Sequence, residues 1–289
     1  MVTAAIAYLA FAVFVAGMVW RVVAWARVPV PFPIALTCGQ QNAAWLENPS
    51  TRAGAACRVA LEALLFRSLL RNSRAQLLSE VGQALPPANR FIYHPALTLW
   101  AGALLFHICL FWIWIGHLRF FVDPALLGPA NPFVDAGLLA ALAFLFLRRV
   151  LDSRLRYLTL FSDYLPLALL ATVASSGILM RWWAHTDVAA VKRFALGLAT
   201  FHPIAPVGVG LLFYVHLFAA SALAATIPFT KLTHMAGVFF SPTRNLPNRS
   251  RARRHVNPWQ TPAQVHTYAE WEDEFRDRMR AAGLPLERQ

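Results

Sequence analysis

The sequence predicts an all-α, polytopic membrane protein: a bundle of five transmembrane helices with a cytoplasmic loop and a C-terminal tail. Three observations carry this. Of 289 residues, 58% are hydrophobic and 14% charged, with a mean hydropathy of +0.49, where a soluble domain carries about a quarter charged residues. Five apolar segments, 4–26, 95–121, 134–151, 164–183 and 206–229, approach the roughly twenty residues that a helix needs to cross the hydrocarbon. The basic residues between those segments fall almost entirely on one side.

The first segment lacks a cleavage-site pattern and is too long for a signal-peptide core, so it reads as the first anchor. A polar connection, 27–93, follows. It opens with PVPFPIALTCGQQ, where Pro29, Pro31 and Pro33 forbid a helix. From 54 to 78 the pattern turns helical, with Arg67, Arg71 and Arg74 on one face and Leu65, Phe66, Leu69 and Leu70 over much of the rest. That suits a helix lying on the inner membrane surface or against a partner. The second, fourth and fifth spans are long, and the third is the shortest. After 241 the chain is basic and rich in Pro and Asn (SPTRNLPNRSRARRHVN), which reads as extended. The last helix begins near TPAQ. Its acids, Glu270, Glu272, Asp273 and Glu274, come early and its bases, Arg276, Arg278 and Arg280, come late, complementing the helix dipole. Trp259, Tyr268, Trp271 and Phe275 favour docking on a cytoplasmic partner over a merely solvated tail. The organisation expected is thus a first transmembrane helix (1–26), a cytoplasmic loop with an amphipathic helix (27–93), a four-helix membrane core (94–240) and a cytoplasmic docking tail (241–289).

The net charge of +12 excludes less than it suggests until it is located. Connection 27–93 holds seven Lys and Arg, 148–161 holds four and the chain from Lys231 holds ten, against four in the two alternate connections. This is the positive-inside pattern, with the N-terminus outside and the tail in the cytoplasm. No nucleic-acid module accompanies the charge. Cys38, Cys57 and Cys109 form no CxxC or Cys/His metal pattern, and the CxxCH of covalent haem attachment is absent.

Ionisable residues inside spans are costly and mark function. The second span carries His107 and His117, the fifth carries His216 and His234. Neutral imidazole is a good iron ligand, and a haem held between two helices takes one axial histidine from each. In antiparallel helices the depths match His117 with His216 and His107 with His234. The offsets are ten and eighteen residues, about 15 Å and about 27 Å of helical rise, so one helix must tilt or bend, and Pro228 can supply the bend. Eighteen residues is also five whole turns, which places His216 and His234 on one face of a straight helix.

These histidine spacings, with Gly116-His117 and PFTKLTH before Met235, resemble the gamma subunit of respiratory nitrate reductase over about 4–241. The flanks PVPFPIALTCGQQ, ENPST, FRSLLRNS and NPWQTPAQVHTYAEWEDEFRDRMRAAGLP look like the DsrM-type membrane cytochromes of DsrMKJOP complexes. The resemblance implies two b haems with His107, His117, His216 and His234 as axial ligands, and a quinol site beside His117. It also implies electron exchange between menaquinone and a DsrK-like cytoplasmic iron–sulfur subunit, which acts on the sulfur carrier DsrC. Under it, Gly116 would let a haem or quinone ring approach the backbone. Arg119 would contact a propionate or quinone oxygen, unless it is an interfacial arginine. His202 is a quinone-proton candidate or a turn histidine. His94 reads as interfacial, His185, His255 and His266 as loop or tail residues, Cys109 as packing and Cys38 as a partner contact. The same features fit a di-haem subunit of a nitrate or heterodisulfide reductase type. A proton-coupled transporter is the remote alternative, because the second and fifth spans hold no Asp or Glu before their last histidine.

Overall fold

The computed structural model describes residues 1–28, 46, 49–71, 74–78, 90–94, 96–241, 244–248 and 266–287. Cys38, Trp259, His255 and most of the basic stretch after 241 lie outside the described residues.

Helix α1 (Val2–Ala26) precedes α2 (Arg52–Leu65) and α3 (Arg67–Arg71) of the first connection. Strands β1 (Arg74–Leu78) and β2 (Arg90–His94) then pair antiparallel, Arg74 opposite His94. The remaining helices follow: α4 (Leu97–His117), α5 (Pro132–Leu151) with the short α6 (Ser153–Leu158), α7 (Phe161–Trp182), α8 (Val188–Ala199), α9 (Gly210–Thr226) and the single turn α10 (His234–Gly237). Helix α11 (Tyr268–Ala281) belongs to a second, separate unit.

Among the described residues four helical stretches are long and apolar enough to cross a membrane: Val2–Ala26, Leu97–Phe120, Phe161–Trp182 and Gly210–Phe229. Helix α5 has 20 residues but carries Asp135 in its first turn and Arg148 and Arg149 in its last. Its start is well specified, because the Asn131 side chain accepts the Phe133 N–H and Pro132 occupies the first turn.

Helix α7 packs on α9 and α5, α4 on α5, and α1 on α9. Small residues set the closest approaches. A Cβ on Gly17 would stand 2.7 Å from Pro228, and one on Gly102 would run into the Phe144 ring, so these backbones approach only because no side chain intervenes. Phe106, Cys109, Leu138, Ala141 and Leu142 form the buried core between α4 and α5, which makes Cys109 a packing residue. Ala190, Phe194, Val209 and Phe213 form a second core under α8.

The ends of the bundle are tied separately. At one end the Tyr8 hydroxyl donates to the Leu198 carbonyl, and Arg181 and the Trp182 indole at the end of α7 meet Asp135 at the start of α5. At the other, the Trp100 indole donates to the Leu65 carbonyl, Phe146 packs on Tyr164, and Asp163 pairs with Lys231. Helix α5 therefore runs the length of the bundle between α4 and α7. At this second end the buried Arg58 donates to the carbonyls of Arg244 (2.7 Å) and Leu246 (3.1 Å), which ties the first connection to the chain that follows the fifth span.

Two expectations are corrected. The helix expected over 54–78 ends at Leu65, because Phe66 adopts a left-handed conformation (φ 50°) and its ring packs 4.8 Å from that of His107. The Glu62 carboxylate accepts from the Ser68 N–H and hydroxyl beyond the break. The connection then ends in the short β1–β2 hairpin, within a fold that is otherwise helical as expected. The fifth span is not one helix as far as His234. It ends at Thr226, continues as 3-10 turns at Ile227–Phe229 and Lys231–Thr233, and is extended at Thr230. Pro228 is the reason, since it has no N–H for the helical ladder, and its own carbonyl accepts from Arg21 (3.2 Å).

Candidate haem-binding site

The break at Pro228 re-aims the chain, so that both histidine pairs meet between α4 and the chain running from α9 to α10. The rings of His117 and His216 are 6.2 Å apart between centroids and within 7° of parallel. Those of His107 and His234 are 5.9 Å apart and cross at 86°. A single metal bonded to two imidazoles at roughly 2 Å each separates the ring centres by roughly 6 Å, so either spacing accommodates one iron.

The remaining ring nitrogens are accounted for. The Nδ1 of His107 bonds the carbonyl of Ala103 (2.8 Å), that of His117 the carbonyl of Ile113 (2.7 Å), that of His234 the carbonyl of Lys231 (2.9 Å) and that of His216 the carbonyl of Val173 (3.0 Å). An N–H donated to a carbonyl fixes the tautomer with its proton on Nδ1 and leaves the Nε2 lone pair for a metal, the usual arrangement around ligating histidines. Among the described residues no group of three or more His, Cys, Asp or Glu is gathered for a metal. A porphyrin supplies four nitrogens of its own, so an imidazole pair is the protein's whole share, and the donor set fits haem.

His117 and His216 line a cavity of about 970 Å³ walled by α4, α5, α7, α8 and α9. Its lining is chiefly apolar, with Leu110, Leu142, Phe194 and Phe213 among the residues, while Arg119, Asp135, Arg181 and His185 supply polarity. Asp135, 5% exposed, accepts from the Trp182 indole (2.9 Å) and pairs with Arg181 (3.3 Å). Arg119 folds back to donate to the Gly116 carbonyl (2.7 Å). Among the described residues a Cβ on Gly116 would touch only Arg119, 3.7 Å away, so the packing described there does not demand glycine. His202 does not line this cavity. Its Nδ1 bonds the Thr200 carbonyl (2.7 Å) in the turn before α9.

Sequence reasoning missed Asp135, Arg181 and Trp182, and set His185 aside as a loop residue. The signal was present: Asp135 and Arg181 are ionisable residues near the ends of apolar segments at matching depth. The carboxylates absent from the second and fifth spans stand instead on α5 (Asp135) and α7 (Asp163), both ion-paired.

At the His107/His234 end, Asp163 holds Lys231 at 2.6 Å and also accepts the Leu160 N–H that begins α7. Lys231 is the residue whose carbonyl binds His234, so the ion pair secures the turn that presents that imidazole.

A bundle of membrane-length helices with paired, backbone-tethered imidazoles between two of them defines the cytochrome b-like class of membrane subunit. Comparison with known proteins narrows the class: residues 93–251 match the nitrate reductase gamma subunit family. The chain is 41% identical over 286 residues to the Hdr-like menaquinol oxidoreductase cytochrome b-like subunit of Archaeoglobus fulgidus, covering 89% of this chain and 82% of that one. It is 39% identical over 283 residues to the subunit of the same name from Archaeoglobus profundus, covering 88% and 81%. The chain belongs to the nitrate reductase gamma subunit family, within its menaquinol oxidoreductase cytochrome b-like members.

Proposed function

We propose that this chain is the di-haem b membrane subunit of a quinol-oxidising complex, exchanging electrons between the menaquinone pool and a DsrK-like cytoplasmic iron–sulfur subunit of dissimilatory sulfur metabolism. The observation that carries this reading is the meeting of two imidazole pairs at iron-spanning distance, each ring tethered through Nδ1. His117 and His216 would hold one haem, His107 and His234 the other, and the bound haems would supply one-electron carriage across the bilayer. The chain's own residues do the rest. Arg119 and Arg181 place positive charge at the polar part of the cavity, where propionates or a quinone oxygen would find it. The apolar walls admit a quinone ring and exclude water. Asp135 holds Arg181 and Trp182 in place.

In the membrane α5 counts as a fifth crossing, supported by its course along the whole bundle, with its charges confined to its end turns. The N-terminus lies outside and the tail inside. The tie of Arg58 to residues 244 and 246 supports a common side for the first connection and the chain after the fifth span. The first connection and, independently, α11 would each offer contacts to the iron–sulfur subunit and the other DsrMKJOP subunits, and through them to DsrC. A heterodisulfide-reductase-type iron–sulfur partner is the second reading, favoured by the names of the two archaeal relatives.

Haem quantitation with reduced-minus-oxidised spectra on the purified chain, beside His107→Ala and His216→Ala, tests this. Two b haems in the wild type and one in each variant are expected. A folded wild-type chain without haem would sink the cytochrome reading.

A further inference from the structure

We propose that Ser176 and Gly177 of α7 are positioning residues for His216, setting both its ring plane and its hydrogen bond, so that the two histidine pairs are chemically unlike. This inference rests on the haem reading above.

The four imidazoles are not tethered alike. His107, His117 and His234 bond carbonyls of their own segment, three or four residues earlier. His216 instead reaches across to α7, where Nδ1 lies 3.0 Å from the Val173 carbonyl and 3.1 Å from the Ser176 hydroxyl oxygen. Ser176 is buried, and its hydroxyl faces two carbonyls of its own helix, donating to that of Thr172 (2.6 Å) with that of Val173 farther off (3.1 Å). Its one proton is thereby committed, and the oxygen is left to accept from Nδ1–H. Gly177 completes the slot, because a Cβ there would lie 3.1 Å from Cε1 and 3.4 Å from Nδ1 of His216. Two acceptors hold one edge of the ring and a missing side chain admits it. The plane so chosen lies within 7° of the His117 ring, whereas the other pair crosses at 86°.

Two consequences follow for iron. Parallel imidazole planes lift the degeneracy of the low-spin ferric dπ orbitals and give a rhombic EPR spectrum. Perpendicular planes leave those orbitals nearly degenerate and give a single feature at large g. The Ser176 oxygen adds an acceptor to the Nδ1–H beside the Val173 carbonyl, which makes His216 a more electron-donating ligand than that carbonyl alone would and so favours the ferric state.

The test uses the full purified chain with haem bound, followed by EPR and potentiometric titration, with the signal lost in His216→Ala identifying the site. Ser176→Ala is expected to keep both haems and raise the potential of that site alone, by about threefold in the reduction equilibrium, or about 30 mV at 59 mV per tenfold. Ser176→Thr restores it, and Ser175→Ala, one residue away, leaves it unmoved. Gly177→Ala is expected to turn the ring and shift the rhombic signal toward larger g. If Gly177→Ala instead empties the site, Ser176→Ala decides alone. Both haems retained with unmoved signal and potential in Ser176→Ala, or a shift confined to the other site, overturns the proposal while leaving the haem reading intact. A wild-type chain without haem overturns both.

Discussion

Asp135 shows what a single carboxylate requires in an apolar bundle. It is buried because Arg181 and the Trp182 indole share its charge, and an unpaired charge in that place would cost several kcal/mol. Arg181 is about a third exposed, so part of the pair's worth is screened. Asp135→Asn keeps an oxygen for the indole and loses the ion pair. Asp135→Leu loses both and strands the guanidinium. We expect Leu to destabilise by roughly 2–3 kcal/mol and Asn by about half of that, read as thermal midpoints in detergent. Equal effects would mean that the indole bond matters little and that the lost ion pair carries the whole cost. The four histidines were legible as residues, because an imidazole in an apolar run is conspicuous. The Asp135–Arg181 pair was missed although its matching depths were readable, because its partners are 46 residues apart and each sits where a helix end excuses a charge.

At the scale of elements, termini and close approaches decide what forms. Gly102 lets α4 meet α5 at Phe144, and Gly102→Ala forces a Cβ against that ring. We expect a loss of about 1–3 kcal/mol from overpacking, seen in the denaturation midpoint. Helix α11 begins with a reciprocal cap in which the Glu270 N–H donates to the Thr267 hydroxyl and the Thr267 N–H donates to the Glu270 carboxylate. The Thr267 backbone N–H, then its side chain, hold the Glu270 carboxyl below its ordinary value. A carboxyl lowered on folding contributes stability above its unfolded pKa, near 4.3, and that stability is lost as pH falls through the lower folded value. Amide protection of α11, corrected for intrinsic exchange, should therefore decline below about pH 4.3 in the intact protein. Thr267→Ala should remove about 1 kcal/mol of it at neutral pH. A pH-independent protection would refute the role of Glu270. Helix starts such as this one are readable in sequence because a cap is local. The break at Phe66 was not readable, because it coincides with packing against His107, forty-one residues away.

At the scale of the whole molecule, topology follows from where the bases lie. With the native cysteines replaced, Arg154→Cys should react with a membrane-impermeant thiol reagent only from the cytoplasmic side, and Asp187→Cys only from outside. The reverse pattern would overturn the orientation. What the sequence determined by itself is what local chemistry determines: apolar runs long enough to cross, a bias of basic residues toward every other connection, helix caps, and histidines that a lipid-facing helix has no reason to keep. Depth ordering along antiparallel helices even named partners for those histidines, since rise per residue is a property of the helix. Only the tertiary structure decided how ten residues on one helix could match eighteen on another, by ending α9 before Pro228 and presenting His234 from a separate turn. It alone decided that His216 is gripped from α7, and that one ring pair lies parallel while the other crosses. Ring planes depend on neighbours that are distant in sequence, and no local pattern encodes them.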